Sequence, residues 1–165
     1  MPTTTEAHIK VADEVWIATA LLHREHPDRL DFSLEEIVER ARVEGLNEQL
    51  RPGVYVHAVQ HCVANRAPNP GRYRMLYETS PGRRRLFCKG DPYDPAREGA
   101  KVTPALEDLP ESYGNLLAWY RDWCSCAHRK ASAADPLLAL VGSGKQLWAD
   151  EHADEYINRL REGWR

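Results

Sequence analysis

Apolar residues in the first part of the chain recur at the spacing of a helix. Residues 8–24 carry a broad apolar stripe with a period of about 3.6, which predicts an amphipathic helix. A second helix is expected over residues 33–45, because the run S-L-E-E matches a capping box formed by Ser33 and Glu36. Gly45 is the residue at which this second helix should end.

A third helical segment comes next, and after it the pattern of apolar residues changes from helical to alternating. Residues 54–67 predict a third helix, which the prolines of the following segment end. Residues 73–77 and 83–89 flank the turn sequence Ser-Pro-Gly, and together they predict a two-stranded hairpin with an arginine-rich tip. A further helix is expected over residues 113–128, and a very short strand at Phe32.

The order of these elements predicts a fold class. Two helices, a turn, a third helix and a basic hairpin follow one another as in a winged helix-turn-helix domain. We therefore expect a mainly α, α+β protein with an added C-terminal helix and an extended tail. Residues 1–130 would form the winged-helix-like DNA-binding domain, and residues 131–165 a linker and a partner-binding tail.

The formal net charge of −3 conceals an uneven distribution of charge. Residues 51–89 carry eight basic residues and one acidic residue, whereas the segments on either side are acidic. A concentrated basic segment favours a partner with dense negative charge, such as double-stranded DNA. A solvated basic face without a partner is the alternative.

Residue types on the third helix and the hairpin suit contact with DNA. The side-chain amides of Gln60 and Asn65 can pair with adenine, and His57 and His61 can reach bases or phosphates. The arginines of this region would contact phosphates: Arg51, Arg72, Arg74, Arg83, Arg84 and Arg85. The alternative is a winged-helix module that binds protein, in which the arginines are only solvated and the histidines cap or pack.

Residues 9 to about 125 resemble an uncharacterised prokaryotic domain family. The similarity lies in the runs VWIATALLHREHP, EGLNEQLRPGVYVHAVQHCVANRAPNPGRYRMLY and RRRLFCKGD. The resemblance implies one coherent N-terminal domain and no particular activity.

The C-terminal segment carries a second resemblance. Residues 135–165 contain SGK followed by Leu-Trp, then ADEY and RLREGW, and in this order they resemble the toxin-binding tail of VapB-type antitoxins. The resemblance implies that the tail lies along a groove of a PIN-domain ribonuclease toxin and blocks its active site. A small dimeric DNA-binding fold usually precedes such a tail, whereas here the preceding domain is larger.

The tail also has the chemistry that such an inhibitor needs. A metal-dependent nuclease holds its Mg²⁺ in a cluster of carboxylates, which a guanidinium can occupy, while apolar anchors fill the groove beside it. The residues that would make these contacts are Leu147, Trp148, Tyr156, Ile157, Arg159, Leu160, Arg161 and Trp164. The predicted function is that of an antitoxin which also binds operator DNA.

The sequence leaves an alternative function open. The chain would then be a transcription-regulatory or protein-interaction module whose tail docks internally or forms a homodimer. No enzyme is expected, because no catalytic pattern stands out. Cys124, Cys126 and His128 form C-x-C-x-H, whereas structural zinc sites more often use two ligand pairs, so neither a metal nor a cofactor is expected.

The expected location is the cytoplasm. The N-terminus lacks a basic stretch followed by an apolar one, and no apolar run approaches the length of a membrane span, so no membrane contact is expected. In a reducing compartment the four cysteines are expected to be thiols.

Overall fold

The computed structural model describes residues 9–47 and 49–133, with side chains through residue 126. The protein combines helices with a small three-stranded antiparallel sheet, so it has the mixed α+β character that the sequence predicts. The helices and strands are α1 (Val11–Glu25), β1 (Phe32–Ser33), α2 (Leu34–Glu44), α3 (Gly53–Val56), a π-helical turn (His57–His61), β2 (Leu76–Ser80), β3 (Arg83–Leu86) and α4 (Asn115–Ala133). Three short 3₁₀ turns connect β3 to α4: Pro95–Arg97, Leu106–Asp108 and Glu111–Tyr113.

Packing groups the chain into two units, Met1–Cys124 and Ser125–Arg165. The first unit contains the sheet and the described hydrophobic core. The predicted division at residues 130 and 131 stays a prediction. None of the described helices combines the length and the apolar character that crossing a membrane requires.

Helix α1 is the central element of the first unit. The sequence predicts an amphipathic helix, but every residue from Ala12 to His23 is buried. The burial includes Asp13 and Glu14, whose carboxylates are paired with Lys101 at 3.0 Å and with Arg51 at 2.5 Å. Because partners from distant parts of the chain neutralise these charges, α1 is covered on more faces than its apolar stripe alone predicts.

The capping box of α2 is confirmed. The Ser33 hydroxyl accepts from the backbone N–H of Glu36 at 3.2 Å, and the Glu36 carboxylate accepts from the backbone N–H of Ser33 at 2.8 Å. A bidentate hydrogen bond from Arg29, with help from the Ser33 N–H, lowers the pKa of Glu36 to about 2. Gly45 ends the helix with a φ of 64°, a left-handed conformation that glycine adopts without strain.

The predicted hairpin forms the larger part of the sheet. The strand order is β1-β3-β2, and the turn between β2 and β3 contains Gly82 with a φ of 74°. Phe32 lies opposite Arg84, so the short strand expected at Phe32 is present as the third strand. Leu76 lies opposite Leu86, and both are fully buried.

The third helix is shorter than predicted. The expected span of residues 54–67 ends at His61, where the Cys62 N–H bonds back to the His57 carbonyl at 2.9 Å. The backbone beyond this point pairs with β2 instead: the Cys62 carbonyl accepts from Leu76 at 2.9 Å, and Ala64 donates to the Leu76 carbonyl at 2.8 Å. The helix therefore ends earlier than the sequence pattern predicts, because the next residues form hydrogen bonds with a strand that is distant in sequence.

His23 links α1, the sheet and α4. Its Nε2 accepts from the backbone N–H of Leu86 at 3.3 Å, and its ring packs 4.9 Å from Phe32 and 4.5 Å from Trp123. Burial, reinforced by the positive charge of Arg85, lowers the pKa of His23 from 6.5 to about 3. The imidazole is therefore neutral in the folded protein.

This depressed pKa makes the protein less stable in mild acid. The unfolded chain takes up a proton on His23 near pH 6.5 and the folded chain does not, so stability is complete above that pH and falls as the pH decreases towards 3. Between pH 7.5 and pH 5 we expect a loss of about 2 kcal/mol, measured by urea unfolding. His23→Gln should remove most of this pH dependence, and His57→Gln, at a half-buried position, should remove less. An unchanged pH profile in His23→Gln would refute the assignment.

Candidate functional site

Arg97 closes the C-terminal end of the third helix from a buried position. It lies in the 3₁₀ turn that follows the hairpin, and its side chain is inaccessible to solvent. Its guanidinium donates to five backbone carbonyls: Arg66 at 2.6 Å, Tyr73 at 2.7 Å, His61 at 2.9 Å, Gln60 at 2.9 Å and Ala67 at 3.5 Å. Burial lowers the pKa of Arg97 below its ordinary value.

Arg84 donates hydrogen bonds to the two backbone carbonyls that precede those of Gln60 and His61. It projects from β3, is 1% exposed, and donates to Ala58 O at 3.1 Å and Val59 O at 3.3 Å. Its guanidinium also lies 3.3 Å from the Glu78 carboxylate. Burial lowers the pKa of Arg84, and the charge of Glu78 opposes that shift.

The two arginines together donate to four successive carbonyls, from Ala58 to His61, at the end of the third helix. Of these carbonyls, that of Gln60 also accepts from the Val63 N–H at 3.3 Å. Positive charge at this end also complements the helix dipole. Arg84 thus holds the hairpin against the third helix. The phosphate contact predicted for Arg84 is inconsistent with its burial, because the guanidinium has no surface to present to DNA.

Two of the residues predicted to read bases are held by backbone carbonyls of their own region. The Nδ1 of His57 lies 2.8 Å from Gly53 O, and the half-burial of this ring lowers the pKa of His57. The Nε2 of Gln60 donates to Ala67 O at 2.6 Å. The predicted contacts of Gln60 with adenine would require this bond to open.

The other two predicted base readers, Asn65 and His61, also contact neighbouring residues of the first unit. Asn65 is exposed but exchanges two hydrogen bonds with the backbone of Glu78, at 3.0 and 2.9 Å. The Nδ1 of His61 is buried and has no hydrogen-bond partner among the described residues. Gly71 packs so closely on His61 that a Cβ at this glycine would lie 2.7 Å from the His61 Cβ.

Arg51 is held between the N-terminus of α1 and the loop before α3. It donates to the buried carboxylate of Glu14 at 2.5 and 3.1 Å and to Ile9 O at 2.8 Å. Asn47 donates to the same Glu14 oxygen at 3.0 Å. These contacts anchor α1. The sequence predicts that Arg51 contacts phosphate, whereas in the structure its guanidinium has this structural role.

The two remaining arginines of β3 are paired with aspartates. Arg83 donates to Asp31 at 2.6 Å, across the β1–β3 pair. Arg85 makes a bidentate contact with Asp91 at 2.6 and 2.8 Å, and its guanidinium lies 4.4 Å from the centre of the Tyr77 ring. Both side chains keep partial exposure, so each is a salt bridge at the surface of the hairpin.

Arg74 and Arg72 differ in environment although they are close in sequence. The Arg74 guanidinium stacks 4.2 Å from the Tyr93 ring centre and 5.8 Å from that of Phe87. Arg72 is exposed, as is Lys89, and neither has a hydrogen bond or ion pair with any described residue. These two side chains are the basic groups of residues 51–89 that remain open to an external anion.

The basic character of residues 51–89 is therefore largely neutralised in the folded unit. Glu14, Asp31 and Asp91 come from outside that segment and pair with its arginines. Glu78, the acidic residue inside the segment, is ion-paired with an arginine of the same segment. Counting charges along the chain overstates the positive surface, because the partners are distant in sequence.

The cysteines differ from the expectation of reduced thiols. Cys88 and Cys124 form a disulfide, with a Cα–Cα distance of 5.5 Å. Cys62 is buried, and burial raises the pKa of its thiol. Among the residues that the structure describes, no three histidine, cysteine or carboxylate side chains are grouped so that they could hold a metal ion.

No local sequence signal marks Arg97 as a structural or functional residue. It stands alone in an irregular segment, and only the tertiary fold brings it to the end of the third helix. The predicted toxin-binding residues all lie outside the described residues: Leu147, Trp148, Tyr156, Ile157, Arg159, Leu160, Arg161 and Trp164.

Comparisons with known proteins add no relatives. A scan against protein-family models, a search of curated proteins and a search of solved structures each found no match.

Proposed function

We propose that this protein is an antitoxin whose C-terminal tail neutralises a PIN-domain ribonuclease. The observation that carries the proposal is the ordered set of landmarks within residues 135–165, which resemble the toxin-binding tail of VapB-type antitoxins. The tail combines apolar anchors with Arg159 and Arg161, and the bidentate geometry of a guanidinium matches a carboxylate cluster. In the complex these arginines occupy the position at which the nuclease holds Mg²⁺.

The first unit has a hydrophobic core built from its described residues. Buried side chains from α1, α2, the sheet and the start of α4 form that core, with Trp16 fully buried among them. The proposal assigns the folded body of the protein to this unit and the binding of the ribonuclease to residues 135–165.

The direct test of the proposal uses the gene neighbourhood. A PIN-domain ribonuclease encoded beside this chain should co-elute with the full chain in size-exclusion chromatography. Trp148→Ala in the tail should weaken the complex, because it removes an apolar anchor. Leu30→Ala is the control, since Leu30 is a strongly exposed apolar residue of the first unit and its loss should leave the complex intact. Separate elution of the two wild-type proteins would contradict the proposal.

Operator binding is a second candidate function, and the order of elements favours it. Helix, strand, helix, helix and hairpin, with β1 joined to β3, is compatible with a winged helix in which α3 enters the major groove. Since the arginines of the hairpin are internally paired, the phosphate contacts fall to Arg72 and Lys89. Tyr55 and Val56, exposed on α3, can contact thymine methyl groups.

Salt dependence tests operator binding. Affinity for the promoter DNA should fall steeply with added salt, and the double variant Arg72→Glu, Lys89→Glu should reduce the slope of log K against log [salt] by about 2. Fluorescence anisotropy at several salt concentrations provides the measurement. No binding at low salt would leave the first unit as a protein-interaction module, which is the other function that the sequence leaves open.

A further inference from the structure

The disulfide between Cys88 and Cys124 joins the end of the hairpin to α4. Cys88 lies two residues beyond β3 and is almost fully buried, whereas Cys124 is partly exposed on α4. The two residues are 36 positions apart in sequence. Their Cα atoms, 5.5 Å apart, have the separation that an unstrained backbone needs for such a bond.

Contacts other than the disulfide already hold the two cysteines together. Tyr120 lies one turn before Cys124 on α4, and Phe87 is the residue before Cys88. The Tyr120 hydroxyl donates a hydrogen bond to the Phe87 carbonyl. On the other side, Asp91 accepts from the backbone N–H of Cys88 at 2.8 Å. The thiols would therefore remain neighbours after reduction, which favours reopening and reclosing of the same bond.

We propose that Cys88 and Cys124 form a reversible thiol–disulfide switch that fixes the last turn of α4 within the first unit. The oxidant is a small-molecule disulfide such as oxidised glutathione. The Cys124 thiolate, which is the more exposed, attacks one sulfur of that disulfide and releases one small thiol. The Cys88 thiolate then attacks the Cys124 sulfur of the mixed disulfide and releases the second small thiol. The two cysteines lose two electrons in total, their two protons pass to the departing thiolates, and the external disulfide is reduced.

The switch changes how firmly α4 is held. In the oxidised protein the bond ties this turn covalently to the hairpin. After reduction the turn depends on noncovalent contacts, chiefly the hydrogen bond from Tyr120 to the Phe87 carbonyl and the packing of Trp123 against the His23 ring. Because a cross-link over this separation in sequence removes much of the freedom of the opened state, reduction should loosen the turn without unfolding the unit.

The experiment equilibrates the full chain in buffers with different ratios of reduced to oxidised glutathione. Rapid alkylation and mass spectrometry count the free thiols, and hydrogen exchange reports on residues 119–124. We expect an intramolecular disulfide to form and open reversibly within the range of ratios found between the cytosol and the cell exterior. Reduction should accelerate exchange in this turn roughly 100-fold, while exchange in α1 stays unchanged.

Two variants make the test independent of folding problems. Cys124→Ser, at a partly exposed position, should exchange like the reduced wild type at every glutathione ratio. Cys126→Ser is the control, and it should switch like the wild type. Mixed disulfides with glutathione on both cysteines, a bond that resists excess reduced glutathione, or equal exchange in both redox states would each overturn the proposal.

Discussion

Replacing Arg97 with methionine should lower the free energy of unfolding by about 3–5 kcal/mol, a large part of the stability of a domain of this size. Methionine fills a similar volume but cannot donate a hydrogen bond. Five backbone carbonyls around the end of the third helix would lose the guanidinium that reaches them. Arg97→Lys should recover only part of the loss, since one ammonium cannot reach carbonyls that a planar guanidinium contacts on both edges.

Urea unfolding followed by tryptophan fluorescence measures this effect, with the fully buried Trp16 as a reporter of the core. Arg72→Met is the matched control, because Arg72 is exposed and makes no hydrogen bond with the described residues. Its unfolding free energy should change by less than about 0.5 kcal/mol. A loss of under about 1 kcal/mol in Arg97→Met would show that the helix end finds other partners, and the capping role would be wrong.

Reversing the charge of Arg159 and Arg161 to glutamate should weaken the complex with the ribonuclease about 100-fold or more. The two guanidiniums would be replaced by carboxylates that face a carboxylate cluster, so attraction becomes repulsion between desolvated charges. The apolar anchors of the tail are untouched by this double variant. Isothermal titration of each chain with the purified ribonuclease gives the two dissociation constants.

Stability measurements separate this effect from misfolding. The double tail variant should unfold at the same urea concentration as the wild type, because the proposal places both guanidiniums in the partner's active site and not in the core of this chain. Arg72→Glu, a charge reversal on the first unit, should bind the ribonuclease like the wild type. Equal affinity of the tail variant and the wild type would refute the role given to the two arginines.

Local patterns predicted the elements whose determinants are close in sequence. The capping box of Ser33 and Glu36 needs residues three positions apart, and the left-handed Gly45 needs only its own lack of a side chain. The hairpin turn at Gly82 is equally local. These features are present where the sequence places them.

Features that depend on distant partners could not be predicted in this way. The third helix ends at His61 because the next residues pair with β2, and no local signal within the helix announces that pairing. The candidate phosphate contacts Arg83 and Arg85 are ion-paired with Asp31 and Asp91, which the fold brings to them. A count of charges by segment treats such arginines as free, although the tertiary structure neutralises them.

A titration of RNA cleavage measures directly whether the tail inhibits a ribonuclease. The PIN-domain ribonuclease encoded beside this chain is incubated with RNA and Mg²⁺ while the full chain is added stepwise. We expect cleavage to fall linearly and to stop when the chain is near equimolar with the ribonuclease. The Arg159→Glu, Arg161→Glu chain should leave most cleavage intact. Undiminished cleavage in the presence of excess wild-type chain would contradict the proposal.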